Sequence, residues 1–178
     1  KGYEVVGVTM CLGVKDVGES SQSCCGMQAI EDAKKVCRQL DIPHYVFDFS
    51  GELHERVIAP FVKAYGSGRT PNPCVECNRY LKFGGLLEKA LALGFDRLAT
   101  GHYARIIELS GQYYLQRSLD THKDQTYFLH AVKKEALSKV LFPVGGYEKA
   151  FIREMAKKIG LEAVAEKRES HEGWFIPE

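Results

Sequence analysis

What this chain lacks narrows its function first. Within its 178 residues no apolar run approaches the roughly 20 residues needed to span a bilayer, and the N-terminal stretch has no resemblance to a secretory signal. Neither Gly-x-x-x-x-Gly-Lys-[Ser/Thr] nor Gly-x-Gly-x-x-Gly occurs, so two common marks of a phosphate-cradling loop are missing. There is no internal repeat and no low-complexity segment. The formal net charge of +1 is far from the excess that advertises nucleic-acid binding, so such a partner has to be met by local clustering of charge. These absences lead to the expectation of a cytoplasmic globular protein without a membrane partner.

What is present fits one domain with a substantial core. A charged fraction of 26% beside a hydrophobic fraction of 45% is ordinary for a globular chain. Six cysteines in a chain of this class point to chemical use in a reducing compartment more than to a disulfide scaffold. The pairs Lys133-Lys134, Lys157-Lys158 and Lys167-Arg168 read as solvated helix faces, with contact to phosphate as the alternative.

The chain is organised around residues 70–83, Thr-Pro-Asn-Pro-Cys-Val-Glu-Cys-Asn-Arg-Tyr-Leu-Lys-Phe. Two prolines fix φ and bias the residues before them away from helix, so residues 66–73 are predicted to form an exposed, stiff loop. Pro73 suits the first helical position, where its missing N–H costs nothing. A thiol at Cys74 or Cys77 then lies near an amide-rich helix start, with Arg69, Arg79 and Lys82 nearby, and both influences favour thiolate. Three readings of this Cys-x-x-Cys pair stay open: half of a structural zinc site, part of an iron–sulfur cluster, or a redox or nucleophilic pair. The other close pair, Cys24-Cys25, consists of adjacent residues, which chelate a single zinc ion poorly.

Around that stretch the pattern alternates. Residues 3–10 form a near-continuous apolar, β-branched run suited to a strand buried on both faces of a parallel sheet. Residues 11–26 read as a loop, and Met27, Ile30, Ala33, Cys37 and Leu40 mark an amphipathic helix with Cys37 in the core. A second strand over 44–49, a helix over 52–65, a helix over 81–93 stopped by Gly94, and a short strand over 97–100 follow. This alternation predicts a parallel α/β sheet with ligands at the carboxyl ends of its strands, where Met10 and Gly101-His102 fall. Residues 104–117 read as a β-hairpin turning at Ser110-Gly111. Helices are predicted near 127–132, 135–141 and 148–159, with a turn over 142–146.

At this point a resemblance adds what pattern cannot. The run over 68–83, together with Ala-Thr-Gly-His-Tyr-Ala-Arg at 99–105, Lys-Asp-Gln-Thr-Tyr-Phe-Leu at 123–129 and Leu-Phe-Pro-Val-Gly at 141–145, resembles the tRNA-specific 2-thiouridylases, the MnmA family, over essentially the whole chain. The resemblance implies an α/β parallel-sheet ATP-pyrophosphatase domain with flanking helices and a β-hairpin insertion. It implies an enzyme that uses ATP and Mg2+ to adenylate the C2 oxygen of the wobble uridine of tRNA, then replaces that oxygen with sulfur carried as a cysteine persulfide. The sulfur would come from a donor protein, a cysteine desulfurase or relay protein.

The same resemblance implies roles for single residues. Cys77 matches the nucleophile, and Asn72, Pro73 and Cys74 match the segment that meets the target base. Met10 and Gly101 match positions at the adenine nucleotide, while His102, Lys123, Asp124 and Gln125 match positions at the tRNA. Each has a plainer alternative: His102 as a satisfied histidine at a strand end, Met10 as core, Asp124 as a helix N-cap. Residues 118–178 are expected to be a mostly helical, tRNA-contacting extension. The family's Ser-Gly-Gly-x-Asp-Ser nucleotide loop is expected before Lys1, and its central and C-terminal barrel domains beyond Glu178.

Two positions depart chemically from the family pattern. Trp174 stands where the family has its persulfide-carrying cysteine, and Cys74 stands where many relatives have aspartate. Indole cannot carry sulfur. The second thiol is therefore expected from Cys74, or from Cys24 or Cys25, and Cys74 is favoured because residues three apart on a helix are neighbours. A variant of this expectation makes Cys74, Cys77 and one of Cys24 or Cys25 ligands of an iron–sulfur cluster.

Overall fold

A computed structural model describes residues 2–13 and 27–166, and the chain divides between Gly68 and Arg69 into two compact units. Cys24, Cys25 and the segment containing Trp174 lie outside the described residues.

In the first unit, strand β1 (Gly7–Cys11) pairs in parallel with β2 (His44–Asp48), with Gly7 opposite His44 and Met10 opposite Phe47. Helix α1 (Met27–Gln39) connects them as the crossover that parallel pairing demands. Its apolar stripe buries Ile30 and Cys37, as the spacing predicts. Leu40 falls past the helix end and is exposed, because the chain turns there through Asp41, whose φ of 53° is left-handed. α1 and β1 pack closely at Gly7, where an added Cβ would stand 2.4 Å from the Cys37 sulfur. A hydrogen bond of 2.8 Å between Thr9 Oγ1 and His44 Nε2 ties the two strands. The second helix, α2, spans residues 50–66 as an α-helical turn (Ser50–Leu53), a π-helical stretch (His54–Ile58) and a further α-helix (Ala59–Gly66). At its start the Ser50 side chain and, at 2.8 Å, the Ser50 N–H hydrogen-bond to the Asp48 carboxylate, and together they hold that carboxyl below the ordinary aspartate range. Leu53 and Val57 of α2 are buried, as are Phe49 and Leu12.

β1 is shorter than its apolar run. Residues 2–6 are outside the strand, with Tyr3 and Val5 exposed, and the five strand residues are half-buried instead of enclosed on both faces. The apolar run predicted β-structure correctly but burial too generously, since β1 has one paired neighbour among the described residues.

In the second unit, helix α3 spans residues 73–92: an α-helical turn (Pro73–Glu76), a π-helical stretch (Cys77–Leu86) and an α-helix (Leu87–Ala92). The helical turn expected at Pro73 and the helix predicted over 81–93 are thus one continuous helix. Val75, Cys77, Leu81, Phe83, Leu86 and Leu87 are buried, and at about 1.5–3 kcal/mol for each large apolar side chain this face outweighs any capping term. Gly84 suits the wide turn, because a Cβ there would come within 3.0 Å of the Arg79 carbonyl oxygen.

Strand β3 (Leu98–Ala99) follows, then the hairpin β4 (Ala104–Leu109) and β5 (Gln112–Arg117), which pair antiparallel with Leu109 opposite Gln112. The hairpin turns at Ser110-Gly111, where both residues have positive φ, 53° and 75°, as the twist of a two-residue hairpin loop requires. Two 3-10 turns, Thr126–Leu129 and Lys134–Lys139, replace the helices predicted over 127–132 and 135–141. The second runs into β6 (Val140–Leu141), which pairs in parallel with β3 and was hidden in the sequence by its length of two residues. Helix α4 (Lys149–Lys158) matches prediction, and α5 (Glu162–Ala165) closes the described chain.

The turn after β6 is packed by exclusion of side chains. A Cβ on Gly145 would stand 1.7 Å from the Ala104 carbonyl oxygen, and the Gly145 carbonyl accepts the Leu119 N–H at 2.9 Å. Backbone cannot yield as a flexible side chain would. Gly145→Ala is expected to lower stability by about 3 kcal/mol or more, while Gly146→Ala, whose Cβ would meet nothing within 4 Å, should change it by about 0.5 kcal/mol at most. Urea denaturation of both variants checks this; equal stabilities would contradict the packing described.

Candidate functional site

The second unit contains nine of the residues singled out from sequence: Asn72, Pro73, Cys74, Cys77, Gly101, His102, Lys123, Asp124 and Gln125. They sit on three segments, the start of α3, the chain after β3, and the loop before the Thr126–Leu129 turn.

At the start of α3, Asn72 is extended and its Oδ1 accepts the N–H groups of Cys74 at 2.9 Å and Val75 at 3.4 Å. Pro73 holds the first helical position, as predicted. Two of the first amides of the helix are thus satisfied by the Asn72 carboxamide. Cys74, one residue into the helix, is half-buried; Cys77, one turn further, is buried at 5% exposure. The exposed loop ends near Thr70, so Cys77 is not displayed on it. The two thiol-bearing positions lie one helical turn apart on one face. Arg79, downstream, lies over the Tyr80 ring at 4.8 Å.

The chain leaves β3 with the Thr100 N–H donating to the Leu141 carbonyl at 3.0 Å. Gly101 is exposed, and a Cβ built on it meets nothing within 4 Å. The fold itself therefore makes no demand for glycine there. His102 is half-buried among rings, with Phe83 at 5.6 Å and Phe142 at 5.8 Å between centroids, and shares a 2.8 Å hydrogen bond between Nδ1 and Thr100 Oγ1. Burial, assisted by the Lys82 ammonium, pushes its pKa down to about 3. At neutral pH the imidazole is uncharged, and Nε2 is the nitrogen left to meet a ligand.

The third segment is held by its own side chains. Asp124 accepts the Ser118 N–H at 2.7 Å, the Thr126 N–H at 3.2 Å and the Thr126 hydroxyl. Burial works to raise its carboxyl pKa, but these hydrogen bonds, with Arg117, hold it below the ordinary aspartate value. The geometry makes Asp124 the clamp of this loop, close to the N-cap alternative read from sequence. Gln125 grips Tyr103 twice, its backbone N–H donating to the Tyr103 carbonyl at 2.8 Å and its Oε1 accepting the Tyr103 N–H at 2.9 Å. That brings Gln125 beside His102. Lys123 is half-buried between Asp124 and His122 in the chain.

A residue the sequence did not single out joins the first and third segments. Asn78, 2% exposed, donates from Nδ2 to the Phe128 carbonyl at 3.0 Å. A polar residue within a helical pattern reads as solvated, so periodicity carried no signal for it; Phe142 and Tyr103 were hidden similarly, by contacts distant in the chain. Met10 lies in the first unit, half-buried on β1. Among the described residues no group of three or more His, Cys, Asp or Glu side chains is arranged to hold a metal; Cys24 and Cys25 fall outside that set. Nor is any helix among them long and apolar enough to cross a membrane.

With this geometry in hand, comparison with known proteins is decisive about kinship. The family model described as the tRNA methyl transferase HUP domain matches residues 1–178, and the chain belongs to that family. It is similar to tRNA-specific 2-thiouridylase MnmA 1 of Syntrophus aciditrophicus (strain SB), 51% identical over 176 residues that make up 99% of this chain and 47% of the relative. It is similar also to tRNA-specific 2-thiouridylase MnmA of Heliobacterium modesticaldum, 49% identical over 100% of this chain and 47% of the relative, and to its namesake from Clostridium botulinum (strain Eklund 17B / Type B), 49% identical over 99% and 49%. The chain spans about half the length of these curated relatives. The α/β architecture with parallel strand pairs agrees with a HUP domain.

The lowered pKa of His102 has a sign in stability. Below about pH 6.5 the unfolded chain takes up a proton at this histidine that the folded chain refuses until about pH 3, so stability falls with pH in that window by up to about 1.4 kcal/mol per unit. Urea midpoints at pH 7 and pH 5 should show the wild type losing about 1–2 kcal/mol more than His102→Gln. Parallel losses in both proteins would refute a neutral His102.

Proposed function

We propose that the chain is the catalytic part of a tRNA uridine 2-sulfurtransferase acting at the wobble position. The observation that carries the reading is a pair of cysteines one turn apart at a capped helix start, tied by Asn78 to the loop bearing Lys123 and Gln125. The family description speaks of methyl transfer, whereas the relatives are named for thiolation; two thiols in the helix start support sulfur chemistry.

In this reading ATP, with Mg2+, activates the C2 oxygen of uridine by adenylation and releases pyrophosphate. Gly101 would allow the backbone to approach the nucleotide, and Met10 would contact the adenine. A persulfide on Cys77, loaded by a cysteine desulfurase or relay protein, attacks C2 through its terminal sulfur, and AMP leaves with the C2–O bond. The Cys74 thiolate then attacks the Cys77 sulfur; the S–S bond breaks, sulfur remains on C2, and a Cys74–Cys77 disulfide forms that a dithiol reductant reopens. Cys74 is the more accessible of the two, which suits the thiol that must also meet a reductant.

Asn72, Pro73 and Cys74 would border the target base, and neutral His102 would offer Nε2 as a hydrogen-bonding group instead of a charge. Lys123 supplies positive charge for phosphate, and Gln125 keeps its amide nitrogen for ribose or base. Residues 118–166 would form the tRNA-facing part of the domain, which is expected to act in the cytoplasm.

In the full-length protein, Cys77→Ser is expected to abolish 2-thiouridine formation while ATP affinity stays within about two-fold, and undiminished thiolation would overturn the reading. Gly101→Ala should raise the dissociation constant for ATP at least ten-fold with no loss of stability, since the fold leaves space for the methyl group. Unchanged ATP affinity would remove Gly101 from the nucleotide site.

A further inference from the structure

Asn78 is expensive where it stands. Its side chain is 2% exposed, its Nδ2 donates to the Phe128 carbonyl at 3.0 Å, and its Oδ1 is buried with no hydrogen-bond partner among the described residues. A buried acceptor left unpaired costs about 1–3 kcal/mol, more than one ordinary hydrogen bond returns. Flipping the carboxamide offers no relief, because it would turn Oδ1 toward the Phe128 oxygen. A leucine, of similar volume and without polar atoms, would fill the same space without the orphan. Stability therefore does not account for an asparagine here, whereas direction does: a hydrogen bond fixes an angle and a register that apolar contact leaves loose.

The bond joins two particular places. Asn78 follows Cys77 on α3. Phe128 lies in the Thr126–Leu129 turn, whose start is clamped by Asp124 and whose preceding residue, Gln125, holds Tyr103 next to His102. One carboxamide thus connects the backbone at Cys77 to the segment that carries Lys123, Gln125 and, through Tyr103, His102.

We propose that Asn78 is a positioning residue, which sets Cys77 against the 123–128 segment through its bond to the Phe128 carbonyl. The inference rests on the sulfur-transfer reading of Cys77. Asn78 acts through its neighbours and touches no reacting atom, so its loss misplaces the nucleophile while leaving tRNA affinity largely intact.

The test uses the full-length protein in a 2-thiouridine assay, with every variant at least 15 °C below its own melting temperature. Asn78→Leu is expected to lower kcat at least ten-fold with KM for tRNA within three-fold. Asn78→Asp separates direction from packing, because its neutral carboxyl can donate to the Phe128 carbonyl and its ionised form cannot, and burial raises the pKa of such a carboxyl. The ratio of Asp-variant kcat to wild-type kcat should fall at least ten-fold between pH 6 and pH 9. A ratio flat across that range, or Asn78→Leu within two-fold of wild type, would overturn the proposal. Should Asn78→Leu fail to fold, the pH ratio of Asn78→Asp decides alone. A Cys77→Ser enzyme that stays active would instead overturn the sulfur-transfer reading itself, whereas an inactive Cys77→Ser beside fully active Asn78 variants would overturn this inference only.

Discussion

Where the helix bearing both thiols begins is set by two adjacent residues, and the rest of the candidate site depends on that start. Asn72 is extended and caps two amides, and Pro73 admits no helix before itself. Shifting the start by one residue would rotate every later side chain by about 100°. Val75, Cys77, Asn78 and Leu81 would then leave the face on which they are buried. Capping contributes only about 1 kcal/mol, far less than the apolar face of α3, so the cap chooses the register and the core enforces it. Once the register is fixed, Cys74 is left half-buried, Cys77 enclosed, and Asn78 aimed at Phe128.

Burial and hydrogen bonding set the charge state of the two titratable groups at this site in opposite ways. The Lys82 ammonium and the ring cage act in the same direction on His102, and the imidazole is held neutral far below its ordinary pKa. Asp124 is the opposite case: burial would neutralise it, but three donors hold it ionised. A loop clamped by an ionised carboxylate beside a neutral histidine presents its positive charge at Lys123 alone within the Lys123–Gln125 motif, which in the proposed function leaves hydrogen bonding and shape a large part of recognition beside charge.

Much of the fold was legible because it rests on local rules. The α1 stripe, the Ser110-Gly111 hairpin, Pro73 at the first helical position and α4 follow from periodicity, φ restrictions and turn chemistry. The rest was decided by contacts distant in sequence. β6 is two residues long and exists through its pairing with β3. The 3-10 turns near 126–139 carry helical composition, but their ends are fixed by Asp124, Gln125 and β6 instead of by a long apolar stripe. Asn78 looks like a surface residue until Phe128 is known to lie 50 positions away and hydrogen-bonded to it. The motif residues were found by resemblance, and the structure changes how Asn72, Cys77 and Asp124 are understood physically.

In the proposed function the start of α3 and the 123–128 segment together receive the wobble uridine. Photo-cross-linking tests it most directly, using the full-length protein and tRNA with a 4-thiouridine at the wobble position, followed by mass mapping of the attached peptide. The account predicts attachment within residues 72–83 or 123–129. Efficient cross-links confined to other parts of the protein would contradict it.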